Sequence, residues 1–258
     1  WVPEKIAIID LDGTLANQAE SSLLGGPGEN PVSLATEKLE LAANDPDVRA
    51  VVLRINSPGG TVTASDILYQ EIRHFREATH KPVVAAVHGL CLGAGLGLLA
   101  QVDLAVAAHS ARFGLVEGRI GHPGATEIVP LVGAAWAKFL ILTGELIDAS
   151  TAERIGLVLN TVPDELLLER SRQLARRIAR MPREAVILNK AGICNMNEAM
   201  GVGAGRLVGR AYDALTKSMS SLATAPDGRR FEEILKSGGM DALKQARDSQ
   251  FTGSWLDS

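Results

Sequence analysis

Two glycine-rich segments could take part in chemistry through their backbone N–H groups. The first, Asn56–Gly60, directly follows the apolar run Val48–Ile55, and the second, Gly89–Gly97, follows the apolar run Pro82–Val87. Glycine tolerates the backbone angles of a tight turn that delivers free amides at a helix start. The glycines after Pro58 are therefore candidates for binding an oxyanion. The alternative is a plain strand–turn–helix connection.

A pair of carboxylates follows the first apolar run of the chain. The segment Asp10–Thr14 reads Asp-Leu-Asp-Gly-Thr. It resembles the first motif of haloacid-dehalogenase-type phosphatases, in which one aspartate attacks phosphorus and the second acts as acid and base, with magnesium. Such a site also needs a lysine and a later acidic pair, and no predicted strand ends in such a pair. We therefore expect an ordinary turn at the end of a strand.

Short aliphatic runs alternate with amphipathic stretches over the first two thirds of the chain, which predicts an α/β fold. The predicted strands are Lys5–Leu11, Val48–Ile55, Pro82–Val87 and Leu104–Ala108. The predicted helices are Leu34–Ala43, Val62–Ala78, Leu96–Ala100 and Glu165–Arg180. From about Trp136 onward the pattern is mostly helical. We expect a core domain over residues 1–190 and a helical oligomerisation or lid region over residues 191–258.

Composition restricts the class of protein. Of 258 residues, 46% are hydrophobic and 22% are charged, which is typical of a chain with a sizeable core. Twenty-six basic and 30 acidic residues give a net charge of −4, so nothing favours nucleic acid as a partner. The longest apolar stretch, residues 82–108, contains His88, Gln101 and Asp103, and we expect no membrane span. Two cysteines exclude a disulfide framework and suit a reducing compartment, so we expect a cytoplasmic protein.

The front of the chain, about residues 5–87, resembles serine–lysine signal-peptide peptidases and, more distantly, the Clp protease. The resemblance rests on Arg49–Gly60, Ser65-Asp66 and Lys81–Ala85. In those peptidases a serine lies in the glycine-rich turn after the strand that corresponds to Lys81–Ala85, and here Gly93 takes its place. No lysine stands where the general base should follow. Cys91 lies two residues away, and we expect it to be a small buried apolar residue. We therefore predict no peptidase activity.

From Lys81 to about Phe251 the chain resembles the enoyl-CoA hydratase/isomerase (crotonase) superfamily. The segments that carry this resemblance are Ala85–Gly89, Leu92–Gly95, Asp103–Ala107, Ala111–Glu117, Pro123–Thr126, Leu142–Glu145 and Ala152–Val158. The chain thus resembles a hybrid, peptidase-like in front and crotonase-like behind. The resemblance implies a ClpP/crotonase-like spiral of ββα units with a C-terminal helical appendage. Both families use paired backbone amides to bind an oxyanion.

The crotonase resemblance also implies a site. An acyl-CoA thioester carbonyl would lie between the backbone N–H groups of Gly60 and Ala94, and Gly59 is the alternative donor to Gly60. Gly59 and Gly93 would also contact the substrate. Glu117 matches the acid/base glutamate of the family; its alternative is a solvated loop carboxylate. Hydratases of the family use a second glutamate, which would fall at Gly97. A single glutamate favours a double-bond isomerase.

One further departure from the family pattern and several other residues complete the prediction. The Gly-Ala-Asp loop that holds CoA in the family is replaced here by the shorter turn Ser57–Gly60. We expect His88 to be structural and Glu127 to be a helix-start carboxylate, although it could act as an accessory acid. The arginines near the end of the core domain would form a solvated helix face or contact CoA phosphates. They are Arg170, Arg172, Arg176, Arg177 and Arg180.

The sequence therefore predicts an acyl-CoA enzyme, with enoyl-CoA isomerase activity favoured over hydratase activity. We expect no metal and no cofactor other than coenzyme A as part of the substrate. The family forms trimers or pairs of trimers, so we expect a homotrimer or hexamer assembled through residues 196–222. The alternative from another class is a catalytically silent assembly module, in which the glycine turns are only structural.

Overall fold

A twisted sheet of parallel strands forms the centre of the molecule. The computed structural model describes residues 5–16 and 30–257. Five strands of the described chain follow one another across the sheet: β1 (Lys5–Asp12), β2 (Val48–Ser57), β3 (Val83–Leu92), β4 (Leu104–Ala108) and β7 (Asn160–Val162). They lie in that order, and all neighbours are parallel. Two short strands, β5 (Arg112–Gly114) and β6 (Leu146–Asp148), branch from the far end of β3.

Helices cover both faces of this sheet, which explains why β2 and β3 are near-continuous apolar runs. On one face, the main core packs beneath α1 (Pro31–Asn44) and α2 (Val62–Thr79). On the other face, a second core lies beneath α6 (Leu167–Ala179). Val51, Val52 and Leu53 are fully buried because consecutive side chains enter opposite cores. These findings confirm the predicted α/β class.

The helices on the first face begin where the sequence supplies caps. The Asn30 side chain accepts hydrogen bonds from the amides of Val32 and Ser33, and Pro31 occupies the first turn of α1. The Thr61 hydroxyl caps α2 by accepting from the amide of Ala64. Since Thr61 directly follows the first glycine turn, α2 starts at the carboxyl end of β2.

The glycine-rich segment after the third predicted strand differs from the expectation. Strand β3 does not end at Val87 but continues to Leu92, and the expected helix at 96–100 is a short α3 (Ala94–Gly97) followed by a 3-10 turn at Leu98–Gln101. The second half of β3 pairs with β5, residue 90 with 112 and residue 92 with 114. Strand propensity did not indicate this extension, because its pairing partner lies about twenty residues further along the chain.

The chain then forms one further broken helix before the C-terminal region. Helix α4 (Val129–Thr143) has non-helical backbone angles at Gly133, and α5 (Ala149–Arg154) follows β6. In the described part of the chain, residues 126–143 alone are long and apolar enough to cross a membrane, by length and composition only. That segment is interrupted at Gly133, and its residues Val132, Ala137 and Leu140 are buried in the main core.

Three long helices form the C-terminal region: α7 (Arg183–Ala199), α8 (Val202–Met219) and α9 (Phe231–Asp248). The division of the chain at residue 190 stays a prediction; α7 begins before that residue and ends after it. None of the residues of α7 is buried. Helix α9 is different, because Phe231, Ile234 and Leu243 form a small core with Ala225.

Candidate functional site

The first glycine turn is held in place by a buried hydroxyl. Ser57 is fully buried, and its Oγ accepts a hydrogen bond from the amide of Gly59 (3.2 Å) and lies 3.3 Å from the carbonyl oxygen of the same residue. Gly59 has φ +97°, a conformation that favours glycine. The sequence analysis missed Ser57, because only the fold shows that its side chain turns inward onto its own turn.

The backbone of Leu15 fixes the direction of the Gly60 amide. Leu15 donates its N–H to the carbonyl of Gly59 (3.0 Å) and accepts from the N–H of Thr61 (2.8 Å). In this parallel bridge the peptide groups of the middle residue, Gly60, point to the opposite side. The Gly60 amide donates to no acceptor among the residues that the structure describes.

The second turn brings another free amide to the same place. Gly93 has φ +53° and ψ −119°, and Ala94 is the first residue of α3. The Ala94 amide, like that of Gly60, has no described acceptor. The two turns touch: a β-carbon built onto Gly59 would lie 3.6 Å from the amide nitrogen of Ala94 and 3.9 Å from Cα of Gly93. They meet because β2 and β3 are neighbours, with Ser57 paired to Cys91.

Glu117 lies directly against the second turn. It belongs to a short 3-10 helix, Val116–Ile120, and is partly buried. A β-carbon built onto Gly93 would be 3.1 Å from Oε2 of Glu117, so the carboxylate packs on the bare Cα of that glycine. Glu117, Gly93 and Ala94, and through Gly59 the first turn, are therefore brought together. A carboxylate beside two free amides can move a proton next to a developing oxyanion.

The position of the missing second glutamate faces a small residue. Gly97 ends α3, and a β-carbon built onto it would lie 3.3 Å from Cβ of Ala125. The space there fits glycine closely, and a larger side chain would displace Ala125 by a few tenths of an ångström. At this end of the sheet, Glu117 is the carboxylate in contact with the second turn.

Contacts from distant segments hold the 3-10 helix that carries Glu117. The Arg119 side chain is 8% exposed; its Nη1 donates to Oδ1 of Asp248 (3.0 Å), and its guanidinium lies 3.9 Å from the ring centre of Phe251. A β-carbon at Gly118 would lie 3.0 Å from the carbonyl oxygen of Ile141. The sequence analysis found none of these contacts, because no local pattern connects residues 129 positions apart.

Other candidate residues lie outside this site. Cys91 is fully buried, and burial raises the pKa of its thiol, which agrees with the predicted structural role. The aspartates of the phosphatase-like motif form structural contacts: Asp10 pairs with Arg54 (2.9 Å), and Asp12 accepts from Nδ2 of Asn56, the first residue of the first glycine-rich segment (2.7 Å). The part of the chain that the structure describes contains no group of three metal-ligating side chains.

The remaining candidates lie on other elements of the described chain. His88 is partly buried on β3. Glu127 belongs to the 3-10 turn that precedes α4, as expected for a helix-start carboxylate. Arg172 and Arg176 line a cavity of about 380 Å³ beside Lys5, at the amino end of β1, whereas Gly60 and Ala94 follow the carboxyl ends of their strands.

Comparisons with known proteins show which family this chain is similar to. The enoyl-CoA hydratase/isomerase family model matches residues 34–199. A probable enoyl-CoA hydratase of Mycobacterium leprae is 31% identical over 208 residues, covering 74% of this chain and 78% of the relative. A crotonyl-CoA hydratase of Syntrophomonas wolfei is 34% identical over 177 residues, covering 61% of this chain and 67% of the relative.

Solved structures agree in fold. An enoyl-CoA hydratase/isomerase from Xanthobacter autotrophicus Py2 superposes with a TM-score of 0.73 at 26% identity, covering 87% of this chain and 90% of the other. A monofunctional enoyl-CoA isomerase from M. smegmatis superposes with a TM-score of 0.60 at 30% identity, covering 79% of this chain and 92% of the other. The family match begins at residue 34 and so includes both glycine turns and Glu117.

Proposed function

Because the chain belongs to the enoyl-CoA hydratase/isomerase family, we propose that it moves the double bond of an enoyl-CoA thioester between the 3,4 and 2,3 positions. Glu117 is the proton carrier in this proposal, and the amides of Gly60 and Ala94 bind the thioester oxygen. Gly59 and Gly93 contact the substrate from the two turns.

The reaction needs one base and no added reagent. The Glu117 carboxylate takes a proton from C2 of a 3-enoyl-CoA, and the electron pair of that C–H bond moves toward the carbonyl to give a dienolate. The two amides bear the negative charge on the thioester oxygen. The protonated Glu117 returns the proton to C4, the double bond settles between C2 and C3, and the carboxylate is regenerated.

One observation carries this proposal: the Glu117 carboxylate packs on Gly93, the residue immediately before the free amide of Ala94. A proton abstracted next to a carbonyl leaves charge on the carbonyl oxygen, so the base and the oxyanion donor must be neighbours. Donors placed in advance stabilise the charged state selectively, and one such donor is worth roughly 2.7–4 kcal/mol.

Hydration of a 2-enoyl-CoA is the second candidate, favoured by the names of the curated relatives. Hydration requires both activation of water and protonation of carbon, and the family uses two glutamates for this. Gly97 stands where the second glutamate would fall and supplies no side chain. We therefore place isomerisation first.

The test compares three reactions of the same protein. In D₂O, the wild type should exchange the C2 protons of a saturated acyl-CoA and convert 3-enoyl-CoA to 2-enoyl-CoA, with much slower addition of water to crotonyl-CoA. The Gly97→Glu variant should gain hydration, and Gly97→Gln is its control because it has the same size without the acid. Hydration by the wild type that exceeds isomerisation would reverse the order of the two candidates.

The catalytically silent module remains the outcome that would end the enzyme hypothesis. If the wild type binds acyl-CoA, measured as a thermal shift, yet catalyses neither exchange, nor migration, nor addition of water, the turns are structural or serve only to bind. Binding is itself part of the test, because the short turn Ser57–Gly60 stands where the family holds CoA by a longer loop. Coenzyme A enters this proposal as part of the substrate, without a further cofactor.

The peptidase-like resemblance of residues 5–87 stays a prediction. What bears on it is the family match, which begins at residue 34 and takes in Arg49–Gly60. Gly93 has no side chain to act as nucleophile, so the proposal contains no peptide hydrolysis. A location in the cytoplasm is also part of the proposal; both cysteines are free, with Cys91 buried and Cys194 exposed.

Assembly into a homotrimer or hexamer completes the proposal. Helices α7 and α8 with the following turn expose many large apolar side chains, each more than half accessible. They are Leu188, Ile193, Met196, Met200, Leu207, Val208, Tyr212, Leu215, Met219 and Leu222. Apolar surface of this extent is costly in water and is typical of an interface. Light scattering at micromolar concentration should give three or six times 27.3 kDa, and a monomeric mass would exclude this assembly.

A further inference from the structure

The geometry points to Asp248 and Phe251 as positioning residues for the catalytic glutamate, acting through Arg119. This inference rests on the proposed function, since it assigns a role to the C-terminal segment in the proton transfer by Glu117. The contacting atoms belong to the end of α9 and the chain that follows it, and to the 3-10 helix Val116–Ile120.

The 3-10 helix is too short to hold its own orientation. It contains five residues, and 3-10 helices have poorer hydrogen-bond geometry than α-helices. Side chains two positions apart on such a helix, with about three residues per turn, project about 120° apart. While Glu117 faces Gly93, Arg119 therefore projects from another side of the same turn. Fixing Arg119 fixes the rotation of the turn and so the direction of Glu117.

Arg119 is fixed from three directions. Asp248 accepts a hydrogen bond at 3.0 Å, and the Phe251 ring stacks at 3.9 Å from the guanidinium carbon. The third contact is Gly144, at the end of α4, where an added β-carbon would lie 2.9 Å from Nε of Arg119. Asp248 is itself held by Arg247, whose Nη2 donates at 2.7 Å.

The same contacts link the end of the chain to the main core. Beyond Phe251, the ring of Trp255 packs on Phe139 with ring centres 5.7 Å apart, and Leu256 packs against the main core. The C-terminal segment thus lies between α4 and the 3-10 helix of Glu117. The Arg119 side chain is only 8% exposed and contacts both a carboxylate and an aromatic ring. These contacts therefore restrict its position more than a solvent-exposed ion pair would.

The experiment measures kcat and KM for 3-enoyl-CoA isomerisation in single variants. Asp248→Asn and Phe251→Leu should lower kcat by about 10-fold to 10²-fold, since small misplacement of a catalytic group has effects of this order. KM and the thermal shift with acyl-CoA should stay within twofold of the wild type. Asp241→Asn is the matched control: it makes the same change on the same helix, at a fully exposed side chain.

A double-mutant cycle separates positioning through Arg119 from general loss of stability. If Asp248 acts through Arg119, the Arg119→Lys/Asp248→Asn double variant should be no slower than the slower single variant. Additive losses, or an Asp248→Asn variant with the kcat of Asp241→Asn, would overturn the inference. If the wild type itself has no isomerase activity, the proposed function fails instead, and the two failures are thereby distinguished.

Discussion

The two sides of the candidate site are built in different ways. The amide side consists of the turns at Gly59–Gly60 and Gly93–Ala94, which follow adjacent strands. Leu15 and Ser57 hold the first turn, and the Gly93 amide in the second turn donates to the carbonyl of Gly114 (2.9 Å). The acid side is a single carboxylate on a short helix, held by contacts to residues near the end of the chain. The amide side can form with the sheet, whereas the acid side is complete only after the C-terminal segment packs.

This difference predicts that variants on the two sides will affect different quantities. Changes on the amide side should alter backbone geometry and stability together, because a turn that binds an oxyanion also connects a strand to a helix. Changes on the acid side should alter turnover while leaving binding and folding nearly intact. The following predictions test that separation, beginning with the largest effect.

Glu117→Gln should reduce C2 proton exchange and double-bond migration by about 10²–10⁴-fold, because the amide keeps the size of the side chain and removes the base. Binding of acyl-CoA should be retained in a thermal-shift measurement. Glu127→Gln is the control, since Glu127 lies in the next 3-10 turn. Equal losses in both variants would make Glu127 a second acid, and exchange at the wild-type rate in Glu117→Gln would show that Glu117 is not the base.

Ala94→Pro should reduce kcat by about 10²–10³-fold, because it removes one amide donor from the thioester oxygen. Proline is tolerated at the first helical position, which Ala94 occupies, so the turn should persist. Circular dichroism checks the fold before the kinetics are measured. An unchanged kcat in a folded variant would remove Ala94 from the oxyanion site.

The same change at Gly60 is not a clean test. A β-carbon at Gly60 would lie 1.9 Å from the carbonyl oxygen of Leu15, so proline there would disrupt the bridge as well as remove the donor. A hydrogen-bond readout is better suited to this position. The carbonyl stretch of a bound acyl-CoA should shift to lower frequency in the wild type, and by a smaller amount in folded Ala94→Pro. An equal carbonyl stretching frequency in the wild type and in Ala94→Pro would contradict a site with two amide donors.

Gly93→Ser places a serine where the similar peptidases have their nucleophile, and the variant should still have no peptidase activity. No lysine is in register to activate it, so neither wild type nor variant should be labelled by a serine-directed fluorophosphonate. The new β-carbon would press on Oε2 of Glu117 at 3.1 Å in a backbone with φ +53°. Isomerase turnover should therefore fall roughly tenfold, the scale of a modest misplacement. Stoichiometric labelling at residue 93 would revive the peptidase hypothesis.

Ser57→Ala should have the smallest effect on turnover and a measurable effect on stability. It leaves the buried amide of Gly59 without its acceptor, which costs about 1–3 kcal/mol of unfolding free energy. The melting temperature should fall by several degrees, and kcat by only a few-fold, because the Leu15 bridge still holds Gly60. A large loss of kcat without any change in melting temperature would mean that Ser57 takes part in the reaction. Ser33→Ala, at an exposed serine in the first turn of α1, is the control.

Several elements could be predicted from the sequence for clear physical reasons. The β2 strand and the α2 helix begin within a residue of their predicted positions, because a continuous apolar run and a Thr61 cap act locally. The glycine turns were identifiable because positive φ at Gly59 and Gly93 demands that residue type. Glu117 was found by resemblance, and the fold then placed its carboxylate against the second turn.

The tertiary structure decided what depends on partners distant in sequence. The continuation of β3 to Leu92 required β5, and the inward direction of the Ser57 hydroxyl required the closed turn. The pairing of Arg119 with Asp248 joins residues 129 positions apart. Local propensity acts over a few residues, whereas these contacts depend on how completed elements pack. The amide side was therefore largely specified by the sequence, and the support of the acid side was specified only by the folded chain.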